Sequence, residues 1–394
     1  MTETVIVSAA RTPIGSFQGT LSSLPATKLG SVAIAEAVKK SGLKPEEVQE
    51  VIMGCVLPAG LGQAPARQAA LGAGLPKGTG CLTINKVCGS GLKSVMLADA
   101  MIKNGDAEVV IAGGMESMSN SPYLLPKARS GYRMGHGQVI DSMVHDGLWD
   151  VTNNFHMGSA AELCAKEYQI SREAQDEFAI ESYRRAQKAI ADGKFKTEII
   201  AVEVADGKST KKIEIDEEPA KANFEKLKSL RPAFSAGGGE GTVTAGNASK
   251  LNDGAAAVVV MSGELAKKKG LKPLARIVGH AGSSVAPEWF TIAPSEAIKK
   301  VLDRLQLKIA NIDLWEINEA FAVVALANNK KLGLNPQNVN IRGGAVALGH
   351  PIGASGARIL TTLLYSLQET GSRRGCASLC IGGGEGVALV VERI

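Results

Sequence analysis

Several runs of this chain are apolar with no alternation. Val109 to Met115, Gly254 to Met261 and Cys376 to Ile381 carry no charge and show no polar residue at every second place. A strand with one wet face alternates, so a run that does not alternate must be covered on both sides. The segments between such runs have helical spacing instead, for example Leu29, Val32, Ala33, Ile34, Ala37 and Val38 between 27 and 40. Strands are expected near 5–10, 51–56, 81–84, 108–115, 254–261, 274–279, 313–317, 339–341, 376–381 and 387–391. Helices are expected near 27–40, 64–73, 92–102, 294–305, 320–332 and 354–367. This alternation predicts an α/β fold with a parallel, helix-covered sheet.

The two ends of the chain echo each other. Gly89-Ser90-Gly91 opens one helical run, and Ala354-Ser355-Gly356 opens another. Each run is followed by an apolar strand that ends in glycines, Ile111-Ala112-Gly113-Gly114 and Cys380-Ile381-Gly382-Gly383. Duplication of one α/β unit explains both. From about 117 to 232 the rhythm stops, and Asn, Ser, Pro and charged residues take over. A helix from 171 to 192 is expected there, capped by Ser171. Lys208 to Lys212 beside Asp206-Gly207 reads as a solvated hairpin tip. An insertion of this length usually carries a lid or binding loops.

Composition narrows the function classes. The net charge is +5, which suits an anionic small molecule and is too weak to argue for nucleic acid. No apolar run is long enough to span a membrane. Neither a basic leader nor an Arg-rich presequence precedes Val5, so a cytoplasmic protein is expected. The six cysteines form no CxxC pair, which disfavours a structural zinc site, and they read as reduced thiols. No GxGxxG follows the first strand, and Gly89-Ser90-Gly91-Leu92-Lys93-Ser94 fails the phosphate-loop pattern.

Four places hold chemistry-bearing residues. Cys88 precedes Gly89-Ser90-Gly91 at the start of a helix, where free N–H groups and the dipole favour a thiolate. Taken alone it reads equally well as a small core cysteine. His350 sits between Gly349 and Pro351 in a stiff loop, where it could also simply brace a turn. Cys380 ends a buried strand, at the edge where open α/β sheets bind ligands. Asn318 lies between a strand and a helix and could serve as a cap. Together they suit acyl transfer: a cysteine nucleophile, a neutral imidazole to take its proton, a second cysteine as acid or base, and glycine N–H groups for an oxyanion.

Asn85-Lys86-Val87-Cys88-Gly89-Ser90-Gly91, Asn318-Glu319-Ala320-Phe321, Gly349-His350-Pro351-Ile352-Gly353-Ala354-Ser355-Gly356 and Cys380-Ile381-Gly382-Gly383-Gly384 occur in this order. With them the chain resembles the thiolase family over its whole length. The resemblance implies duplicated halves stacked as a five-layer αβαβα core: 1–118 with 241–270, then 271–394, with a loop domain at 119–240 inserted. It implies that Cys88 carries an acetyl group, His350 takes the Cys88 proton, and Cys380 moves the α-proton of a second acetyl-CoA. Asn318, through a water, and His350 would hold the enolate, while the N–H groups of Cys88 and Gly382 would hold the tetrahedral intermediate. The implied reaction is reversible: two acetyl-CoA give acetoacetyl-CoA plus CoA, with no tightly bound cofactor. Coenzyme A contacts are implied for His156, Met157, Lys221, Lys226, Ala245, Ser249, Leu251 and Phe321, with Met157 favouring short acyl chains. A potassium ion is implied at Tyr183, Val346 and the carbonyls of Ala245, Gly246 and Ala248. A homotetramer, a dimer of dimers, is implied through 119–137.

Three rivals stand beside this expectation. A broad-chain 3-ketoacyl-CoA thiolase of fatty-acid degradation would work on long chains, against which Met157 argues. A condensing enzyme of the ketoacyl synthase type would lack the cysteine at 380. A non-catalytic thiolase-like lipid-binding protein would be expected to lack Cys88 or Cys380.

Overall fold

A computed structural model describes residues 2–234 and 241–394, so residues 235–240 of the expected insertion lie outside it. The main strands, labelled in chain order, are Thr4–Arg11 (β1), Glu50–Gly54 (β2), Gly80–Ile84 (β3), Val109–Ser117 (β4), Asn252–Ser262 (β5), Ala275–Ser284 (β6), Leu314–Ile317 (β7), Arg374–Ile381 (β8) and Glu385–Arg393 (β9). The main helices are Ala26–Ser41 (α1), Pro65–Gly72 (α2), Ser90–Asn104 (α3), Met157–Glu167 (α4), Arg172–Ala191 (α5), Ala293–Leu305 (α6), Ala322–Leu332 (α7) and Ser355–Thr370 (α8).

The strands hydrogen-bond in the order β7-β8-β9-β6-β1-β5-β4-β2-β3. The sheet is mixed, which corrects the expectation of a parallel one. The helical crossovers do give parallel pairs, β2 with β3 and β4, and β7 with β8. The other pairs on this path are antiparallel: β8 and β9 are joined by the short turn at 382–384, and β5 returns beside β4 only after the long insertion. The two halves of the sheet join only at Val5↔Arg276 and Ile6↔Ala275. A second correction concerns 339–341: no strand forms there, and Val339 makes a single bridge to Trp315 after a tight turn at Pro336–Asn338.

Five layers follow from which faces are covered. Helices α1 and α2 pack on the outside of the first half-sheet, and α6 on the outside of the second. Between the two half-sheets lie α3 and α8, touching each other and strands of both halves. The apolar strands are therefore buried on both faces. Along β5, Ala255, Ala257, Val259 and Met261 enter the outer core, while Val258 and Val260 enter the central one. Along β9, Val387, Leu389 and Val391 face the centre, while Ala388 and Val390 face α6.

The central helices meet at the Ser-Gly of each half. A Cβ added at Gly356 would stand 2.2 Å from the Leu92 backbone N, and one at Gly91 would stand 2.7 Å from the Ala357 N. Only glycine permits this approach. It brings the start of α3, just after Cys88, beside the start of α8, just after His350.

The segment between β4 and β5 lies outside the main sheet and is tied down by charge. Arg11, fully buried at the end of β1, meets Glu198 at 2.6 Å and Asp216 at 2.7 Å, and its guanidinium lies 4.9 Å from the Phe195 ring centre. Ser171 caps α5 by accepting from the Ala174 N–H. Val202–Asp206 and Ser209–Ile213 form a hairpin on which Lys208, Lys211 and Lys212 are exposed. Among the described residues no helix is long and apolar enough to cross a membrane.

Candidate active site

A cavity of about 560 Å³ opens where the insertion meets the core. Cys88, His350 and Gly382 contribute to its wall, as do His156, Met157, Ser249, Leu251 and Phe321. These residues come from both halves and from the insertion.

Cys88 lies one residue before the first turn of α3, with Gly89 in the capping position. The strained residue is Val87, whose φ is +45°. A β-branched side chain there is an outlier, and such strain collects at functional sites. Gly89 needs space rather than unusual angles, since a Cβ there would meet Ile381 Cδ1 at 2.4 Å. The expected thiolate is not the resting state. Burial pushes the Cys88 thiol up to about 11, against the pull of the Gly382 N–H and its own N–H. Desolvation outweighs the helix terminus, so the sulfur needs a base.

His350 supplies one. Burial and the nearby Arg358 push its pKa down to about 3, so the ring is neutral. Its Nδ1 lies 2.6 Å from Ser355 Oγ, and Nε2 lies 3.5 Å from Asn318 Nδ2. When the Ser355 hydroxyl donates to the Pro351 carbonyl at 3.0 Å, Nδ1–H donates to Ser355 and Nε2 keeps its lone pair. Because a hydroxyl also donates, Ser355 accommodates the other tautomer equally. The loop is held by the Asn252 side chain, which accepts from the His350 N–H at 2.9 Å, and by Glu116, which accepts from the Gly353 N–H at 2.9 Å.

Glu116 also accepts from the N–H groups of Val56 and Leu57, so one buried carboxyl joins loops of both halves. Burial raises its pKa to about 7. No motif in the sequence marked it.

Asn318 and Cys380 lie behind the cavity wall. Asn318 caps no helix; α7 begins after Phe321. Its Oδ1 is buried without a hydrogen-bond partner among the described residues, an acceptor that a water would satisfy. Cys380 is fully buried, and its thiol is pushed well above the ordinary range by burial first and by the neighbouring Cys88 next. The two sulfurs are therefore close enough to feel each other's charge.

The rest of the wall is largely apolar. His156 stacks on Phe234 with centroids 4.7 Å apart and accepts from the Gly158 N–H at Nδ1, which leaves an Nε2–H. Met157 is buried, and its Sδ would lie 3.5 Å from a Cβ at Gly382. Phe234 and Phe290 set their rings edge-on to Phe321. Phe234, Met118 and Met143 line the cavity without any sequence signal beyond being apolar.

The remaining expected residues divide. Lys221 reaches the wall, bonded to Ser16 Oγ at 2.6 Å and Glu217 Oε1 at 2.8 Å. Lys226 does not line the cavity; it sits on the short helix Phe224–Lys228, whose first turn Asn223 caps. Of the expected potassium ligands, Ala245 and Ala248 line the cavity, and Tyr183 and Val346 share one buried cluster. Gly246 packs against Leu227 and Leu230, and Leu227 belongs to the cluster of Tyr183 and Val346. Lys250, which the sequence did not single out, donates to the Ala248 carbonyl at 2.7 Å.

Comparison with known proteins agrees along the whole chain. The thiolase N-terminal domain matches residues 4–264 and the thiolase C-terminal domain residues 271–393. An acetyl-CoA acetyltransferase of Schizosaccharomyces pombe is 52% identical over 395 residues, covering 100% of this chain and 99% of the relative. One of Cupriavidus necator is 53% identical, with 100% of each chain covered. The crystal structure of the Bacillus anthracis acetyl-CoA acetyltransferase superposes with a TM-score of 0.97 at 44% identity, covering 100% of this chain and 99% of that one. The chain belongs to the thiolase family.

Proposed function

We propose that the chain is an acetyl-CoA C-acetyltransferase that joins two acetyl-CoA into acetoacetyl-CoA plus CoA, reversibly, through an acetyl group on Cys88. The observation that carries this reading is the meeting of Cys88, a neutral His350 ring and Gly382 at one cavity wall, with Cys380 buried just behind it on the strand whose Ile381 packs against Gly89. The names of the full-length relatives support the same reaction.

In the first half, His350 Nε2 takes the Cys88 proton and the sulfur attacks the thioester carbonyl. The Gly382 and Cys88 N–H groups, which draw the Cys88 thiol pKa down, would hold the oxyanion. Each such donor is worth roughly 3 kcal/mol of barrier. His350 returns the proton to the departing CoA sulfur.

In the second half, Cys380 passes its proton to His350 Nε2 and then removes the α-proton of a second acetyl-CoA. The enolate oxygen accepts from that Nε2–H and from a water on Asn318. The enolate carbon attacks the acetyl carbonyl, the tetrahedral adduct expels the Cys88 sulfur, and the His350 proton returns to it.

The test is a Cys380→Ser variant examined in each half-reaction. It should accumulate acetyl-Cys88 from labelled acetyl-CoA and form acetoacetyl-CoA at least about 100-fold more slowly. Full condensation rate, or no label on Cys88 in the unaltered chain, would overturn the assignment.

The tetramer expectation finds support in the segment based on Tyr123–Leu124 paired with Ile140–Asp141. It exposes Tyr123, Leu125, Met134 and Val139, which a second copy would cover. A chain lacking this arm that still sediments as a tetramer would contradict it.

A further inference from the structure

The resemblance to potassium-activated relatives can be tested against the residues that would hold the ion. The carbonyl of Ala248 already accepts from Lys250 Nζ at 2.7 Å. That ammonium stands 5.8 Å from the centre of the Tyr183 ring, within cation–π reach. Glu218 lines the same cavity wall and places a carboxylate there. A potassium ion placed among Tyr183 and these carbonyls would meet a like charge and lose the Ala248 oxygen. The residues of this chain therefore do not fit the ion.

We propose that the Lys250 ammonium is a tethered replacement for that ion, fixing the 244–251 loop so that CoA binding needs no potassium. The loop has the contacts to transmit such an anchor. Its Ser249 N–H donates to the Ala320 carbonyl, Ala248 bridges to Phe321, and Asn247 Nδ2 donates to Asp176 at 2.9 Å. Ala248, Ser249, Lys250 and Leu251 all line the cavity.

This inference rests on the proposed CoA site, and calorimetric binding of CoA separates the two. Binding would be measured in potassium, sodium and choline chloride at equal ionic strength, with melting midpoints recorded alongside. The unaltered chain should bind CoA equally in all three salts and show no potassium-specific rise in melting point. Lys250→Ala should bind CoA roughly tenfold or more weakly in choline, the scale of losing a charged hydrogen bond. Potassium or ammonium at about 0.1 M, where nonspecific charge effects are screened alike, should restore it to within about twofold. Lys250→Thr leaves the same space open and serves if the alanine variant does not fold. Potassium-specific tightening in the unaltered chain would overturn the inference. So would variants with unchanged affinity, or a loss that no small cation repairs. If the unaltered chain binds no CoA in any salt, the CoA-site reading fails instead.

Discussion

The close contact of α3 and α8 makes Gly356 a sharper probe of this site than most residues that line it. A Cβ at Gly356 would lie 2.2 Å from the Leu92 backbone N, whereas ordinary contact is about 3.5 Å. Backbone stands on both sides, so the helices must part by roughly 1.3 Å. Overpacking of this kind costs about 1–3 kcal/mol, and the helix preference for alanine offsets less than about 1 kcal/mol of it in a first turn. A net loss of about 2.5 kcal/mol is expected. With 394 residues at about 2.1 cal/mol/K each, the unfolding entropy is about 0.8 kcal/mol/K, so Gly356→Ala lowers the melting midpoint by only about 3 °C. Catalysis should suffer far more. Cys88 precedes one helix and His350 the other, and a displacement near 1 Å between reacting groups can cost about 100-fold. Gly375→Ala is the control: its Cβ meets Leu363 Cδ1 at 2.7 Å, a side chain two turns into α8 that can yield. It should shift the midpoint similarly and leave kcat within about threefold. Calorimetry and single-turnover acetylation of Cys88 read both quantities. Unchanged acetylation in Gly356→Ala, or equal loss in Gly375→Ala, would refute the argument that this crossing sets the catalytic geometry.

Two other outcomes follow from the site. Met157→Ala opens the wall opposite Gly382, so kcat/KM for six- to eight-carbon ketoacyl-CoA should rise about tenfold relative to acetoacetyl-CoA; no change in that ratio would remove Met157 as the chain-length gate. His350 is neutral in the fold with a pKa near 3, against an unperturbed 6.5. Between these values the unfolded chain binds a proton that the folded chain refuses, so this residue's contribution is absent above about pH 6.5 and erodes stability as pH falls, by about 2 kcal/mol at pH 5. His350→Asn should be inactive yet lose about that much less stability between pH 7 and pH 5 by urea denaturation, and an identical loss in both proteins would contradict the buried neutral imidazole.

How much of this was legible in the chain depended on distance along it. Strands such as 254–261 and helices such as 27–40 announce themselves because burial imposes a local period, and the structure places them within a residue or two of expectation. The direction of pairing was not legible: β1, β5 and β6 look like any buried strand, yet they run antiparallel to their neighbours, with partners set by contacts far apart along the chain. The reactive residues were visible as types within motifs, but their ionisation was not. A helix start just after Gly89 argues for a thiolate, and only the apolar surroundings of Cys88 in the folded chain show that desolvation wins. Val87 shows the same limit from another side. A valine in a left-handed turn contradicts its own local preference, so no local reading finds it; Asn85 Oδ1 accepts from its N–H and the Ser90 hydroxyl donates to its carbonyl. Lys250 is the clearest case. In the sequence it is one lysine among many, two residues beyond Ala248. Its meaning arises only when the Ala248 carbonyl and the Tyr183 ring of α5 come within reach of its ammonium, on a cavity wall that Glu218 shares.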